Sequence, residues 1–112
     1  MLRESQNLVV ARNEPWTGEV ASEPYEVGWA SEAILWFRTL GVEGDLAGAT
    51  LRVQISPDGL RWSDDGATLP IPPREGEQAF IRLRHFGAWL RVTTTLPPGV
   101  TVKPLLTLSL KA

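Results

Sequence analysis

This sequence predicts an all-β fold, a single-domain antiparallel β-sandwich of jelly-roll-like type with about eight or nine short strands, and three observations carry that prediction. The stretch 49–63, ATLRVQISPDGLRWS, opens on strict alternation. Leu51, Val53 and Ile55 share one side of an extended chain, and Thr50, Arg52 and Gln54 share the other, the period-two pattern of a half-buried strand. The run ends in Ser56-Pro57-Asp58-Gly59. Pro57 fixes φ for the first central turn position, Asp58 suits the second, and Gly59 accepts positive φ after it. Finally, ten Gly and nine Pro cut the chain into short pieces, no window holds a sustained helical apolar period, and strand-like runs recur at a spacing of roughly ten residues, as in sandwiches and jelly rolls.

Taken in order, residues 7–12 (NLVVAR) form a short first strand. Residues 17–21 and 26–29 are weak strands or edge segments separated by Pro24, which has no N–H to give to a ladder. Residues 32–40 form a long central strand. The segment 30–37 could pass for a helix, but its Trp, Ile and Phe and the following Gly41, Gly44 and Gly48 favour a strand with loops. Residues 49–56 are the cleanest strand, with 60–63 as its return. Asp64-Asp65-Gly66 reads as a second turn, leading to a short strand at 67–71 closed off by Pro70, Pro72 and Pro73. Residues 78–84 alternate with Ile81 and Leu83 inward and Phe80, Arg82 and Arg84 outward. Residues 88–95 put Ala88, Leu90 and Val92 on one face and Trp89, Arg91 and Thr93 on the other. Residues 100–110 close the chain after the Leu96-Pro97-Pro98-Gly99 turn. One domain spans 1–112. Its first 25 residues are less regular and are either an N-terminal arm that packs on a neighbouring subunit or an edge segment.

A chain of 112 residues is the size of one domain, and such a chain buries roughly two-thirds of its unfolded surface. Hydrophobic residues at 43% and charged residues at 21% exclude a disordered chain. A net charge of −2 gives no global attraction to nucleic acid or to an anionic membrane, and neither is expected as a partner. Only Lys103 and Lys111 are lysines; the other cations are arginines, which suit interfaces, although a genomic composition bias produces the same excess. The absence of cysteine excludes disulfides, thiolate metal sites and a Cys nucleophile. The longest apolar run, 33–37, is far too short to span a bilayer. Residues 1–7 carry no apolar segment behind a basic start, so no signal peptide is expected.

Chemistry finds little support, and no enzyme, cofactor or metal is expected. His85 is the single histidine and lies beside Arg84 in a turn, where it reads as a solvated side chain. Neither phosphate-binding glycine motif is present. Asp58, Asp64 and Asp65 match no EF-hand spacing and are explained by turns. Glu75 and Glu77 sit in a Pro/Gly-bounded loop and read as solvating residues rather than an acid/base pair.

The five tryptophans are the informative side chains. Trp36, inside the long apolar strand, reads as core, and Trp62 as a cover over the sheet end. Trp89 faces outward beside Arg91 if Leu90 and Val92 face inward, an arrangement that points to a subunit or partner contact. Trp16 and Trp29, in the irregular N-terminal part, are further candidates for interface burial.

The run Leu51-x-Val-x-Ile-Ser-Pro-Asp-Gly-x-x-Trp, followed by Phe86-Gly87-Ala88-Trp89-Leu90-Arg91-Val92, resembles a pattern of small bacteriophage virion structural proteins, of capsid-decoration or minor-tail type. In these a Q-x-S-x-D-G-x-x-W hairpin precedes a strand of aromatic-L-R-V type. Gln54, Ser56, Asp58, Gly59 and Trp62 match the hairpin, Trp89, Leu90, Arg91 and Val92 match the strand, and the resemblance covers roughly 32–110. It implies a non-enzymatic β-sandwich in the virion, most readily a decoration protein that stabilises the head by binding across capsid subunits. It also implies a homo-oligomer, with a trimer favoured, partnered by the major capsid protein or another virion protein. Assembly would take place in the host cytoplasm. The Arg-rich, Pro-rich, cysteine-free composition also suits a thermophilic host. Similar hairpins occur in carbohydrate-binding β-sandwich modules, the alternative reading, in which Trp side chains stack on sugar rings.

Overall fold

Side chains that alternate along a strand can be buried on one side only when a second sheet covers that side, and here two sheets cover one another. The computed structural model describes residues 5–112. Its elements are β1 (Ser5–Arg12), β2 (Glu19–Ala21), β3 (Tyr25–Glu26), β4 (Glu32–Glu43), β5 (Thr50–Ser56), β6 (Ser63–Pro70), β7 (Gln78–Arg84), β8 (Trp89–Thr95) and β9 (Thr101–Lys111). Sheet A has the order β1-β9-β4-β7. Sheet B has the order β2-β8-β5-β6, with β3 also paired to β8. All pairings are antiparallel. With β2 and β3 taken as one interrupted strand, this is the strand order of an eight-stranded jelly roll. The all-β sandwich expected from the sequence is the fold observed.

The core lies between the inner faces. Sheet A contributes Leu35, Phe37, Leu83, Val102, Leu106, Leu108 and Leu110, and sheet B contributes Leu51, Val53, Leu90 and Val92. Trp16 closes one end, its ring centroid 5.8 Å from that of Phe37. Two buried hydroxyls are satisfied locally: Thr39 Oγ1 donates to the Pro72 carbonyl at 2.7 Å and Thr94 Oγ1 to the Thr50 carbonyl at 2.8 Å. Pro104 sits in β9, a strand with neighbours on both sides, where proline is ordinarily excluded. The Pro104 carbonyl accepts from the Asn13 N–H at 2.7 Å, so its donorless nitrogen faces the β1 side, beyond the last β1 pair at Arg12↔Leu105, and no ladder bond to β4 is lost.

The described residues of the irregular N-terminal stretch, 5–25, run along this domain's own sheet edges. β1 follows β9 from Ser5↔Lys111 to Arg12↔Leu105, and β2 follows β8. The Trp16 N–H donates to the Val102 carbonyl at 2.7 Å, and the Val102 N–H donates back at 3.1 Å. The part of that stretch at 1–4 lies outside the described residues. Between β2 and β3 the Ser22 N–H donates to the Val92 carbonyl at 2.9 Å and Ser22 Oγ accepts from the Val92 N–H at 3.0 Å. Ser22 thus carries the pairing across the Pro24 break.

Four local expectations are corrected. Residues 60–63 are not a return strand: the chain loops through 57–61, and β6 begins at Ser63. Asp64-Asp65-Gly66 is not a turn. β6 runs through it to Pro70, merging with the strand expected at 67–71, and the extra residues form a bulge, because pairing skips from Arg52↔Thr68 to Gln54↔Asp64. Gly66, at φ +99°, supplies the backbone conformation for that bulge. The strand expected at 26–29 is limited to Tyr25–Glu26, since Gly28 and Trp29 turn the chain. Trp36 is not in the core, because Ala33, Leu35 and Phe37 take the inward positions and period two sends Trp36 to the outer face.

Adjacent aromatics of one strand therefore make opposite predictions. Phe37→Ala removes a ring with 0% exposure and is expected to cost about 3–5 kcal/mol. Trp36→Ala, on the outer face, is expected to cost clearly less. Urea unfolding of the two variants checks the ordering.

Candidate functional site

The hairpin after β5 is held by a hydrogen-bonded cage built from two side chains. Ser56 Oγ accepts from the backbone N–H groups of Asp58 at 3.2 Å and Gly59 at 2.9 Å, and donates to Asp58 Oδ1 at 2.9 Å. The same Asp58 oxygen accepts from the N–H groups of Leu60 at 2.9 Å and Arg61 at 3.0 Å. These bonds hold the Asp58 carboxyl below its ordinary pKa. The Arg61 N–H contributes most, then the Leu60 N–H and the Ser56 hydroxyl. Pro57 sets the first turn residue, and Gly59 adopts φ +76°. A Cβ on Gly59 would meet the Trp89 indole at 3.2 Å. Glycine is therefore required twice here, by backbone conformation and by the ring packed against it. The turn, whose tip residue Leu60 is 83% exposed, seats Trp89.

The outer face of sheet B continues from there. Trp89, Arg91 and Thr93 share the outward side of β8, while Leu90, Val92 and Thr94 are buried. The Arg91 guanidinium lies 4.4 Å from the Trp62 ring centroid, its Nε donates to Gln54 Oε1 at 2.8 Å, and Gln54 Nε2 donates to Asp64 Oδ1 at 3.0 Å. A cation stacked on a ring and anchored by an amide has lost most of its rotamer freedom, so this set presents a fixed surface. Beside it lies a cleft of about 260 Å³ lined by Glu19, Arg52, Gln54, Arg91 and Thr93. In its wall the Thr93 Oγ1 is buried without a hydrogen-bond partner.

The outer face of sheet A carries a second set of exposed side chains. Cross-strand register places Val9, Thr107, Trp36 and Phe80 in one row across β1, β9, β4 and β7. Trp36 and Phe80 pack with centroids 5.1 Å apart, the Arg82 guanidinium lies 5.0 Å from the Phe80 centroid, and Trp36 Nε1 donates to Ser109 Oγ at 3.1 Å. Val9 and Phe80 are 52% and 45% exposed. Neighbouring rows bring Arg82, Arg84 and Lys111 together with Glu32 around a cavity of about 250 Å³.

The structure thus joins Ser56, Pro57, Asp58 and Gly59 with Trp89, and Trp62 with Arg91, all on one side of the molecule. It does not join Trp16 and Trp29 to that group. Trp16, expected as an interface candidate, is a core residue with 7% exposure, because its backbone bridges to Val102 and delivers the ring onto Phe37. Trp29 is half-buried against the core from the turn before β4. The Trp36–Phe80 row was missed, although the parity of Ala33, Leu35 and Phe37 could have revealed it. Among the described residues no three His, Asp or Glu side chains gather as metal ligands, and no helix is long and apolar enough to cross a membrane.

No family model matches the sequence, and no curated protein matches it either. Solved structures share its fold. The SPBc2 prophage-derived protein YomS aligns with a TM-score of 0.57 at 8% identity, covering 100% of this chain and 96% of that one. The PBSX exported protein XepA aligns with a TM-score of 0.56 at 10% identity, over 99% of this chain and 37% of that one. A chain of the infectious bursal disease virus Gx strain structure aligns with a TM-score of 0.50 at 11% identity, over 97% of this chain and 32% of that one. At such identities the likeness is one of fold.

Because the folded-state pKa of Asp58 is lowered, its contribution to the hairpin is complete above the unfolded-state value and is lost as pH falls through the folded-state value. An NMR titration is expected to give the Asp58 carboxyl a midpoint below that of an unstructured aspartate, with the Leu60 and Arg61 amides shifting in step. Ser56→Ala is expected to move that midpoint upward. Separately, Arg91→Ala is expected to cost about 0.5–1 kcal/mol and to change Trp62 emission, as fluorescence-monitored unfolding would show.

Proposed function

We propose that this chain is a non-enzymatic structural protein of a bacteriophage particle, acting as a decoration protein of the head that binds across neighbouring capsid subunits. The observation that carries the reading is the end-to-end likeness to YomS, a prophage-derived protein by its name, in which 100% of this chain matches 96% of the other. The fold also recurs in the infectious bursal disease virus structure. The surface supports the same reading. Arg91, Trp62 and Trp89 are locked in place by the hairpin cage and the Gln54 bridge, and a pre-ordered Trp/Arg patch suits burial against a protein partner. Bound across several subunits, such a protein stabilises the shell by mass action, because it binds the assembled lattice and not its separated parts.

Particles purified from the strain that carries the gene test this directly, by immunogold labelling with antibody to this protein. Label on heads is expected. Label confined to tails would make it a minor tail component, and purified particles without label would overturn the reading. Trp89→Ala is expected to weaken particle binding while leaving the melting curve of the isolated protein largely in place, since Trp89 lies on the outer face.

The carbohydrate-binding alternative now has a definite platform to test. Trp16 is buried and the Trp62 ring is covered by Arg91, whereas Phe80, paired with Trp36, is 45% exposed. Soluble polysaccharides are expected to leave tryptophan fluorescence unchanged. Quenching that is lost in Trp36→Ala would favour the sugar-binding reading instead.

A further inference from the structure

Four strands end the two sheets, and each edge is a row of backbone groups free to pair with another chain unless something blunts it. Among the described residues three edges are blunted. β1 is broken by a register shift between Val9 and Ala11. The β2–β3 edge is interrupted at Ser22-Glu23-Pro24. β6 carries the Gly66 bulge and ends in Pro70. β7, QAFIRLR, has no Pro, no Gly and no bulge, and it pairs with β4 without interruption from Glu32↔Arg84 to Arg38↔Gln78.

The direction of the free groups follows from the ladder. The Thr39 N–H donates to the Glu77 carbonyl at 3.0 Å, one step beyond Arg38↔Gln78. Hydrogen-bonded and non-hydrogen-bonded pairs alternate in an antiparallel ladder, so the odd-numbered residues of β7 bond to β4. The N–H and C=O groups of Gln78, Phe80, Arg82 and Arg84 therefore point away from the sheet.

We propose that β7 is a self-association edge. A second copy of this chain pairs with it antiparallel about a two-fold axis at Ile81, and the two sheets A join into one continuous sheet. Ile81 is the midpoint of the strand, so this register pairs all of it. On the inner side Ala79 faces Leu83 of the second copy and Ile81 faces its own counterpart, and all are apolar. On the outer side Phe80 faces Arg82 of the second copy, and Gln78 faces Arg84. Arg82 already stacks on Phe80 within one chain, at 5.0 Å, so the same contact is available across the axis. Like charges directly opposite destabilise a strand pair; here no arginine faces an arginine, whereas moving the axis by one residue to Arg82 sets the two Arg82 side chains against each other. The two Phe80 side chains then lie diagonally across the axis, each facing an Arg82 of the other copy. An isologous contact of this kind uses the same patch on both copies. This pairing goes beyond the particle reading and does not depend on it.

The chain has no cysteine, so one introduced thiol cross-links only to its own counterpart. Residues facing across a non-hydrogen-bonded antiparallel pair have Cα atoms about 4.5 Å apart, within disulfide range. Ile81→Cys is expected to give a disulfide-linked dimer under mild oxidation. Ala79→Cys, which faces Leu83 of the second copy, is expected to stay monomeric on the same non-reducing gel. Light scattering of the unmodified protein is expected to give twice the chain mass, falling to the monomer in Phe80→Arg, which places a cation against Arg82. Phe80→Glu is expected to remain dimeric, and circular dichroism checks that each variant is folded. A monomer at millimolar concentration, a three-fold assembly (which has no two-fold axis), or a folded Ile81→Cys that does not cross-link would overturn the pairing. Should Ile81→Cys not fold, the native mass and the Phe80 pair decide. Any of these failures leaves the immunogold result standing on its own.

Discussion

The arrangement depends on one insertion: the last strand, β9, lies between the first strand and the fourth. β9 pairs with β1 along one side and with β4 along the other, and it sends Val102, Leu106, Leu108 and Leu110 into the core. Without it β1 has no partner and sheet A is reduced to the β4–β7 pair. The contacts are as distant in sequence as this chain allows, Ser5 against Lys111. Closure of sheet A must therefore await nearly the whole chain, and the entropy of that closure is compensated only when the two inner faces meet. Trp16 belongs to the same event, since its backbone bridges to Val102 and its ring lands on Phe37.

Burial on the inside dictates what is displayed outside. Each large inward side chain of β4 and β8 has an outward neighbour, so Leu35 and Phe37 in the core place Trp36 on one outer face, and Leu90 and Val92 place Trp89 and Arg91 on the other. The two faces are furnished differently. On sheet B the aromatic rings are clamped, Trp62 by Arg91 and Trp89 by the Gly59 turn. On sheet A the Trp36–Phe80 pair, with Arg82 beside the Phe80 ring, leads to the regular edge at β7. A sandwich with a pre-ordered patch on one face and a pairing edge on the other can be built into a larger assembly in two directions without rearranging its core.

Polar groups act here as geometry more than as chemistry. The cage of Ser56 and Asp58 satisfies four backbone N–H groups in a turn that has no ladder of its own. Buried Thr39 and Thr94 likewise serve carbonyls at strand ends. The Thr39 bond ties the 71–77 loop to β4, and the Ser56–Asp58 cage shapes the turn that seats Trp89.

Much of this was legible in the sequence because period-two alternation is local. The faces of β5, β7 and β8, the Ser56–Gly59 turn, the break at Pro24 and the outward Trp89 and Arg91 all follow from neighbours a few residues apart. What needed the tertiary structure was whatever depends on a distant partner. Asp64-Asp65-Gly66 has turn chemistry, but pairing with β5 on either side holds it as a bulge within a strand. Trp16 sits in an irregular stretch with no period to read, and only the bridge to Val102 puts it inside. Trp36 lies in an unbroken apolar run, where hydrophobicity alone cannot say which face is which, and the opposing sheet chose the parity of Leu35 and Phe37. The sequence by itself determined most of the strands, the faces of those that alternate and the Ser56–Gly59 turn, since those are set by local sterics and alternation. The order of the strands, the face left open and the edge left unpaired were decided by which strands, far apart in the chain, met to bury their apolar sides.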